Sequence, residues 1–254
     1  MLTRKDLASY REITGFNLGQ IEKDYAQHLF LLNLYKKIKD EMVFKGGTAL
    51  QKTYGLNRFS EDLDFTMKTN IDIESVLKNV TKNMKIFGCE ALETKTKQDE
   101  IGSGYLVKVK GPLFNGTERS HTYVRLDISQ RENVLMPVKI DTITPIYKDL
   151  PPYTVSVMDL SEIMAEKIRS ILTRDNARDV YDFWFLTQKK NRVSISLINS
   201  KLKYYNKVFD LDEFKKSIKN KERIWKQEME QLTPTFMSFD KIKHDLFLQQ
   251  FIVK

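Results

Sequence analysis

The segment Ser60-Glu61-Asp62-Leu63-Asp64-Phe65 carries two aspartates at alternating positions. In an extended strand successive side chains alternate between faces, so Asp62 and Asp64 share one face while Leu63 and Phe65 point to the other. Two carboxylates held this close repel each other unless cations lie between them, and hard oxygen ligands suit Mg²⁺ better than softer metals. The pair therefore predicts a magnesium site, although an Asp-x-Asp pair alone also arises by chance in strands and turns.

A glycine pair precedes these carboxylates, in Gly46-Gly47-Thr48. Paired glycines let backbone amides approach a phosphate that side chains would hold off, and a helix beginning at Ala49 would add its positive end. Arg58 and Ser60 could supply a forked phosphate donor and a hydroxyl contact. A plain tight turn explains the glycines equally well, and Arg58 and Ser60 could simply end the loop.

A third carboxylate is available in the segment 122–129. Its apolar residues alternate, so Arg125 and Asp127 share the face opposite to them. If this strand lies beside the first one, Asp127 completes the metal cluster or serves as general base for the attacking hydroxyl. A salt-bridged aspartate on an edge strand is the alternative.

The segment Asp159-Leu160-Ser161-Glu162 predicts a helix start, with Asp159 as the cap and Glu162 returning the bond. The helix carries one apolar stripe, and Lys167 falls within its angular range. A lysine on a buried face requires an anion, for which a triphosphate is one candidate. Extension of the side chain along the edge of the stripe is the alternative.

A second helix start follows at Asn176, which can cap it. Asp179 lies in the first turn of that helix, where an acidic group complements the helix dipole. Arg178 and Asp182 have the spacing of an ordinary helical ion pair. From the residues alone, this segment is structural rather than catalytic.

Hydrophobic periodicity predicts the elements that position these residues. Helical spacing covers 18–40, 49–54 and 73–86, and strands are predicted over 63–67, 90–96, 105–110, 121–129 and 134–140. Beyond Pro145 and the pair Pro151-Pro152 the period is helical, over 159–173, 177–188, 208–231 and 239–251. We therefore predict two domains, residues 1–150 and a helical domain of residues 151–254. The last helices carry lysines and aromatic residues, typical of a charged face over a small core or of an RNA-binding patch.

Composition sets the class of protein. The 254 residues are 41% hydrophobic, enough for a sizeable core, and the formal charge of +8 favours polyanionic partners or reflects a solvated lysine-rich surface. A single cysteine, Cys89, excludes an internal disulfide, and the three histidines lie too far apart along the chain to suggest a metal centre. No segment approaches the roughly 20 apolar residues of a membrane span, which predicts a cytoplasmic protein.

Taken in order, Gly46–Leu50, Arg58–Phe65, Glu166-Lys167 and Arg178–Asp182 resemble the motifs of the AbiEii nucleotidyltransferase toxins, which include the MenT toxins. The resemblance covers roughly residues 20–190. The glycine pair followed by Asp-x-Asp marks the wider DNA polymerase beta-like nucleotidyltransferase superfamily. The resemblance implies an α+β fold, with a mixed β-sheet core flanked by helices in the first domain and a helical carboxy-terminal half.

The same resemblance implies an activity. A nucleotide would pass from a nucleoside triphosphate to an acceptor, with release of pyrophosphate, and in studied relatives that acceptor is the three-prime end of transfer RNA. By motif, Gly47 and Ser60 would hold phosphate, Asp62 and Asp64 the metals, and Lys167 the triphosphate. Asp179 would be an acid of the catalytic site, and Asp127 stays open because members of the family differ there. Arg178 stands where lysine is common in the family.

The resemblance further implies a toxin with a separately encoded antitoxin, often in phage defence or stress response. We therefore expect a magnesium-dependent nucleotidyltransferase that acts on RNA, with two Mg²⁺ ions bridging Asp62, Asp64 and the triphosphate. Two other functions remain open. The same site would serve transfer to a protein side chain, and the basic helices would serve a protein that binds RNA or nucleotide without chemistry.

Overall fold

The computed structural model describes residues 2–248 and 252–253. These residues form two compact units. Unit 1 comprises the described parts of Met1–Gly55, Phe59–Val134 and Val138–Val157, and unit 2 those of Leu56–Arg58, Leu135–Pro137 and Met158–Lys254. The domain boundary predicted at residue 150 stays a prediction.

Unit 1 contains a mixed sheet, in which the described residues form seven strands. The strands are β1 (Met42–Lys45), β2 (Asp62–Met67), β3 (Ala91–Gln98), β4 (Gly102–Val109), β5 (Thr122–Ser129), β6 (Lys139–Ile143) and β7 (Tyr153–Val157). Their order is β3-β4-β5-β2-β1-β7-β6, which makes β2 the central strand. β2 pairs antiparallel with β1 and parallel with β5.

The helices of unit 1 are α1 (Arg4–Thr14), α2 (Leu18–Leu34), α3 (Gly46–Tyr54) and α4 (Ile73–Met84). Its hydrophobic core joins α2 and α4 to the apolar side chains of the central strands, among them Phe65 and Leu126. From Tyr25 to Leu34 every residue of α2 is buried, so this helix forms the centre of the unit. The combination of mixed sheet and helices confirms the predicted α+β class.

Unit 2 is largely helical, as predicted. Its helices are α5 (Leu160–Thr173), α6 (Ala177–Gln188), α7 (Ile195–Leu202), α8 (Leu211–Asn220), α9 (Glu222–Leu232) and α10 (Phe239–Leu248). Two short strands, β8 (Val193–Ser194) and β9 (Ile252–Val253), pair in parallel. The helix predicted over 208–231 is split at Lys221, whose Nζ donates to the carbonyl of Arg174 at 2.8 Å. Residues 249–251 of the helix predicted to end at Phe251 lie outside the described residues.

Two predicted elements, over 18–40 and 134–140, are wrong in extent, and one strand was not predicted. The helix predicted over 18–40 ends at Leu34, because the hydroxyl of Tyr35 reaches the carbonyls of Met42 and Ser156 and the chain turns into β1. Strand β7 follows the proline pair, where only helices were predicted. The strand predicted over 134–140 begins at Lys139, because residues 135–137 belong to unit 2.

The predicted cap Asp159 is confirmed, whereas the predicted return bond of Glu162 and the side-chain cap of Asn176 are wrong. The side chain of Asp159 accepts from Ser161 N at 2.8 Å, but the carboxylate of Glu162 accepts from Leu135 N and Met136 N, at 2.9 Å each, and so does not return to the cap. Asn176 makes no side-chain cap hydrogen bond.

The amides at the start of α6 are bound by Glu228 instead. Its Oε2 accepts from Ala177 N at 2.9 Å and from Arg178 N at 3.4 Å. None of the helices formed by the described residues is long and apolar enough to cross a bilayer.

Replacing Glu228 by Ala removes this acceptor, so we expect the free energy of unfolding to fall by about 0.5–2 kcal/mol. Asn176→Ala removes no cap hydrogen bond and should change it by less than about 0.5 kcal/mol. Trp184 and Trp225 lie in unit 2, so urea unfolding followed by tryptophan fluorescence measures both variants. A larger loss for Asn176→Ala than for Glu228→Ala would contradict the assignment.

Candidate functional site

Asp62 and Asp64 lie on the same face of β2. Both are partly exposed, whereas the alternate residues of the strand, Leu63 and Phe65, are fully buried. The alternation follows from the pleat of the strand, and the buried side chains fix which face the carboxylates take. The two carboxylates therefore project from the centre of the sheet, on the side opposite to the core.

The neighbouring strand brings Asp127 to the same face. In the parallel pairing of β2 with β5, Asp64 lies opposite Asp127 and Asp62 opposite Arg125. Arg125 is 68% exposed and its Nη1 lies 3.7 Å from Asp62 Oδ1, a surface pair that contributes little to stability. Register alone thus places three carboxylates on adjacent strands, as the sequence predicted if these strands were neighbours.

The three carboxylates do not converge into one cluster. Among the described residues, no group of three or more His, Cys, Asp or Glu side chains is arranged to hold a metal ion. Mg²⁺ is commonly held by one or two carboxylates, with phosphate and water oxygens as its other ligands. Asp62 and Asp64 supply that donor set, and Asp127 stands beside them on the next strand.

Gly46, the first residue of the glycine pair, lies directly against the Asp64 carboxylate. Gly46 has a φ of +73°, and a Cβ at this position would lie 2.2 Å from Asp64 Oδ2. Only glycine fits both the backbone conformation and the space. The backbone of Gly46 therefore packs directly against the Asp64 carboxylate. The oxygen donors of Asp62 and Asp64 are of the type that fits a divalent cation.

Helix α3 begins at Gly46, three residues before the predicted start at Ala49. The glycines form its first turn, where backbone N–H groups have no partner within the helix. Thr48 is fully buried, its hydroxyl bonds to the carbonyl of Asp62, and its Oγ1 lies 2.8 Å from Ser60 Oγ. A carbonyl only accepts, so Thr48 donates to it and Ser60 donates to Thr48. Both hydroxyl groups hold the loop before β2.

Lys45 is a neighbour of this site that the sequence analysis did not single out. It ends β1 with its Cα opposite that of Asp64, and it is only 8% exposed. Directly opposed residues in a β-sheet project to the same face, so Lys45 places a positive charge beside the carboxylate. Its position at the end of a buried apolar strand, immediately before the glycine pair, was the signal in the sequence.

The other predicted site residues lie in unit 2, in a buried ion cluster. Lys167 Nζ lies 3.0 Å from Asp179 Oδ1 and 2.6 Å from Asp182 Oδ2. Arg58 binds Asp182 through two bonds of 2.6 and 2.7 Å, and Arg174 binds Asp179 through two bonds of 2.7 and 2.8 Å. The buried lysine thus has the anions that it requires.

This cluster corrects the ion pair predicted between Arg178 and Asp182. Asp182 is bound by Arg58 and Lys167, because α6 turns it toward the interior of the unit, where it has no exposure. Arg58, predicted to contact phosphate, directs two of its N–H groups to this carboxylate. Arg174 carried no signal in the sequence.

Burial would raise the pKa of Asp179, but the charges of Lys167 and Arg174 outweigh it and hold that pKa well below its usual range. Burial would also raise the pKa of Asp182, but the charges of Arg58 and Lys167 outweigh it, so that this pKa is lowered as well. Both carboxylates therefore stay ionised at neutral pH. Asp179 is suited to hold cations in place rather than to exchange protons.

A mixed sheet with an Asp-x-Asp pair on its central strand, beside a helix that begins with two glycines, defines the class of nucleotidyltransferases. A family model described as "Nucleotidyl transferase AbiEii toxin, Type IV TA system" matches residues 31–247, most of the sequence. The chain belongs to this family of nucleotidyltransferase toxins, which confirms the predicted family. Membership implies a nucleoside triphosphate substrate and a cognate antitoxin.

Solved structures agree on the fold. The chain is similar to MenT4, a nucleotidyltransferase toxin from Mycobacterium tuberculosis H37Rv, with 18% identity and a TM-score of 0.63 over 96% of this chain and 88% of that one. It is also similar to JHP933 from Helicobacter pylori, with 22% identity and a TM-score of 0.57 over 92% and 90%. At these identities the likeness establishes the fold alone. The search of curated proteins returned no match.

Asp182→Asn leaves Arg58 and Lys167 buried beside a neutral amide, so we expect the free energy of unfolding to fall by about 3–5 kcal/mol. Glu230→Gln is the matched control in unit 2, because Glu230 forms an exposed helical pair with Lys226 at 3.8 Å. Its expected change is below about 0.5 kcal/mol. Urea unfolding at neutral pH measures both.

The pKa of Asp182 is lowered in the folded state, so its stabilising contribution is present above the unfolded pKa and is lost as the pH falls through the folded one. The difference between wild type and Asp182→Asn should be constant at neutral and mildly acidic pH and shrink below about pH 4. A difference that grows on acidification would contradict the assigned shift.

Proposed function

We propose that the protein transfers a nucleotide from a nucleoside triphosphate to RNA, at the three-prime end of transfer RNA, and releases pyrophosphate. The observation that carries the proposal is the pair Asp62 and Asp64 on the open face of β2, with the Asp64 carboxylate against the backbone of Gly46. Family membership supports nucleotidyl transfer as the reaction. The basic composition, +8 at neutral pH, supports a polyanionic acceptor.

In this proposal Asp62 and Asp64 hold Mg²⁺, which when bound favours ionisation of the acceptor hydroxyl and offsets charge on the triphosphate. The amides of Gly46 and Gly47, in the first turn of α3, donate to phosphate oxygens. A bond forms between the acceptor oxygen and the α-phosphorus while the bond from that phosphorus to the pyrophosphate oxygen breaks. Asp127, exposed on the neighbouring strand, accepts the hydroxyl proton.

The roles of Lys167 and Asp179 are further parts of the proposal. The ammonium group of Lys167 has three N–H donors, of which Asp179 and Asp182 accept two. The third donates to a triphosphate oxygen. Asp179, ionised and bound by Arg174, orients that ammonium group and takes no part in proton transfer. Arg58 orients Asp182 in the same way. We propose this role for Arg58 in place of the direct phosphate contact predicted from the sequence.

The cellular role follows from the family. The description of the family as a type IV toxin–antitoxin system supports a toxin restrained by a separately encoded antitoxin, and we propose a role in phage defence by abortive infection. The substrates proposed here, nucleoside triphosphates and transfer RNA, are those of the cytoplasm.

Asp64→Ala should lower transfer by at least about 100-fold, because the loss of a metal ligand removes several kcal/mol of stabilisation from the transition state. Each of the four radiolabelled nucleoside triphosphates is incubated with the protein and total cell lysate. The expected product is a labelled band that survives protease and disappears with ribonuclease. Glu100→Gln, an exposed carboxylate in the turn between β3 and β4, is the control and should keep wild-type activity.

Three results would contradict the proposal. Undiminished transfer by Asp64→Ala would remove the carboxylate pair from the mechanism. A labelled band that survives ribonuclease and disappears with protease would move the acceptor from RNA to a protein side chain. If the wild-type protein bound RNA but gave no labelled product, it would be an RNA-binding protein without transferase activity.

Chelation of divalent cations by EDTA should abolish transfer, since Asp62 and Asp64 without a cation repel the triphosphate. Excess Mg²⁺ should restore it. Circular dichroism with and without EDTA controls for unfolding and should not change. Transfer that persists in EDTA would show that the carboxylates work without a metal.

A further inference from the structure

Gln27 occupies an unusual position for an amide side chain. It lies in the middle of α2 with 0% exposure, among the apolar residues of the core of unit 1. Its Nε2 donates to two consecutive backbone carbonyls, those of Ser60 at 3.0 Å and Glu61 at 2.9 Å. Carbonyls only accept, so the side-chain nitrogen must face them, and the orientation of the amide is fixed.

The other end of the same amide is unsatisfied. Within the described part of the chain, no group donates to Gln27 Oε1, which is buried. A buried carbonyl without a donor destabilises the folded state and offsets much of what the two donated bonds contribute. An apolar side chain of similar length would remove that penalty but would leave the carbonyls of Ser60 and Glu61 without this donor. The two donated bonds, which fix the Ser60–Glu61 backbone, therefore account for an amide at this position.

That backbone is held at every polar atom of Ser60. Gln51 accepts from Ser60 N at 3.1 Å through its Oε1, and its Nε2 lies 3.3 Å from Asp24 Oδ1. Gln27 binds the carbonyl of Ser60, and Thr48 binds its hydroxyl. Peptide groups are planar, so fixing the Ser60 and Glu61 carbonyls sets the direction in which the chain enters Asp62.

Asp62 needs this support more than Asp64 does. Asp62 is the first residue of β2 and pairs with Arg125 of β5 on one side, whereas Asp64 pairs with Lys45 of β1 and with Asp127 of β5. The β1–β2 register begins at Asp64, so the ladder holds Asp62 from one side. A strand end held in this way frays unless other bonds fix it.

We propose that Gln27 and Gln51 are positioning residues that fix the backbone before Asp62 and so hold its carboxylate beside that of Asp64. This inference rests on the proposed function, because it assigns the two glutamines to the arrangement of a metal-binding pair. Gln27 is the main element of the clamp, since its two donors span both peptide groups that precede Asp62.

Gln27→Met tests the proposal, because methionine is close to glutamine in length and volume but donates no hydrogen bond. We expect a melting temperature below that of wild type, because the carbonyls of Ser60 and Glu61 lose this donor while only one unsatisfied oxygen is removed. Hydrogen–deuterium exchange of a peptide covering residues 59–63 should rise by about fivefold or more while residues 64–67 keep their protection. Mn²⁺ affinity, measured by electron paramagnetic resonance, should fall by about tenfold, and kcat should fall by a similar factor with KM for nucleotide nearly unchanged.

Asn33→Leu is the matched control. Asn33 is a second buried amide on α2, but its Nδ2 donates to the carbonyl of Leu29 in the same helix at 2.8 Å. This variant should leave exchange over 59–63, Mn²⁺ affinity and kcat within about twofold of wild type. If Gln27→Met does not fold, Gln51→Met, which frees Ser60 N, tests the same clamp and should raise exchange over 59–63.

Wild-type exchange and Mn²⁺ affinity in Gln27→Met would overturn the proposal. So would losses of the same size in Asn33→Leu, which would mean that any buried amide on α2 has this effect through stability. Raised exchange and weaker Mn²⁺ binding in Gln27→Met, with no nucleotidyl transfer by wild type, would support the clamp and overturn the proposed function.

Discussion

Asp62 and Asp64 carry like charges on one face of a single strand, about 7 Å apart at their α-carbons. Their repulsion has to be offset by cations or by positive groups nearby, and the parts of unit 1 around them are arranged accordingly. The apolar residues between them are buried and fix their direction, Gly46 leaves space at the Asp64 carboxylate, and Lys45 lies opposite on β1. The packing of the core thus holds the two carboxylates close together despite their mutual repulsion.

In the described part of unit 2, the buried charged side chains have partners of opposite charge. Asp179 and Asp182 are fully buried, and each lies between two cationic side chains, with Lys167 shared by both. Three cations around two carboxylates leave an excess positive charge, which favours a further anion. Arg174 is the partly exposed member, with 45% of its side chain accessible. The two carboxylates fix the direction of the Lys167 side chain in the interior.

Patterns of short range were readable from the sequence. Alternation predicted that Asp62 and Asp64 share a face and that Asp127 lies on the open side of its strand, and both hold in the structure. The apolar stripe of α5 predicted that Lys167 is buried and needs an anion, and Asp179 and Asp182 provide it. The family resemblance, confirmed by the match over residues 31–247, rested on the order of motifs that are individually weak.

Contacts between distant residues were not readable. Gln27 and Ser60 are separated by 33 residues, and Glu228 caps a helix that begins 51 residues earlier, so no local pattern links them. Some local sequence features suggested a structure different from the one observed. The glycine pair looks like a turn, yet Gly46 begins α3, and the proline pair that suggested a boundary is followed directly by β7. Side chains that hold the backbone from elsewhere in the fold decide these positions.

The proposed nucleotidyl transfer depends on binding of divalent cations by Asp62 and Asp64 together. A crystal structure with Mn²⁺ and a non-hydrolysable nucleoside triphosphate tests it most directly, because anomalous scattering locates the metal independently of the protein. We expect metal density about 2.1 Å from oxygens of both carboxylates, with the triphosphate at the first turn of α3. Metal and nucleotide bound elsewhere, with Asp62 and Asp64 contacting neither, would contradict it.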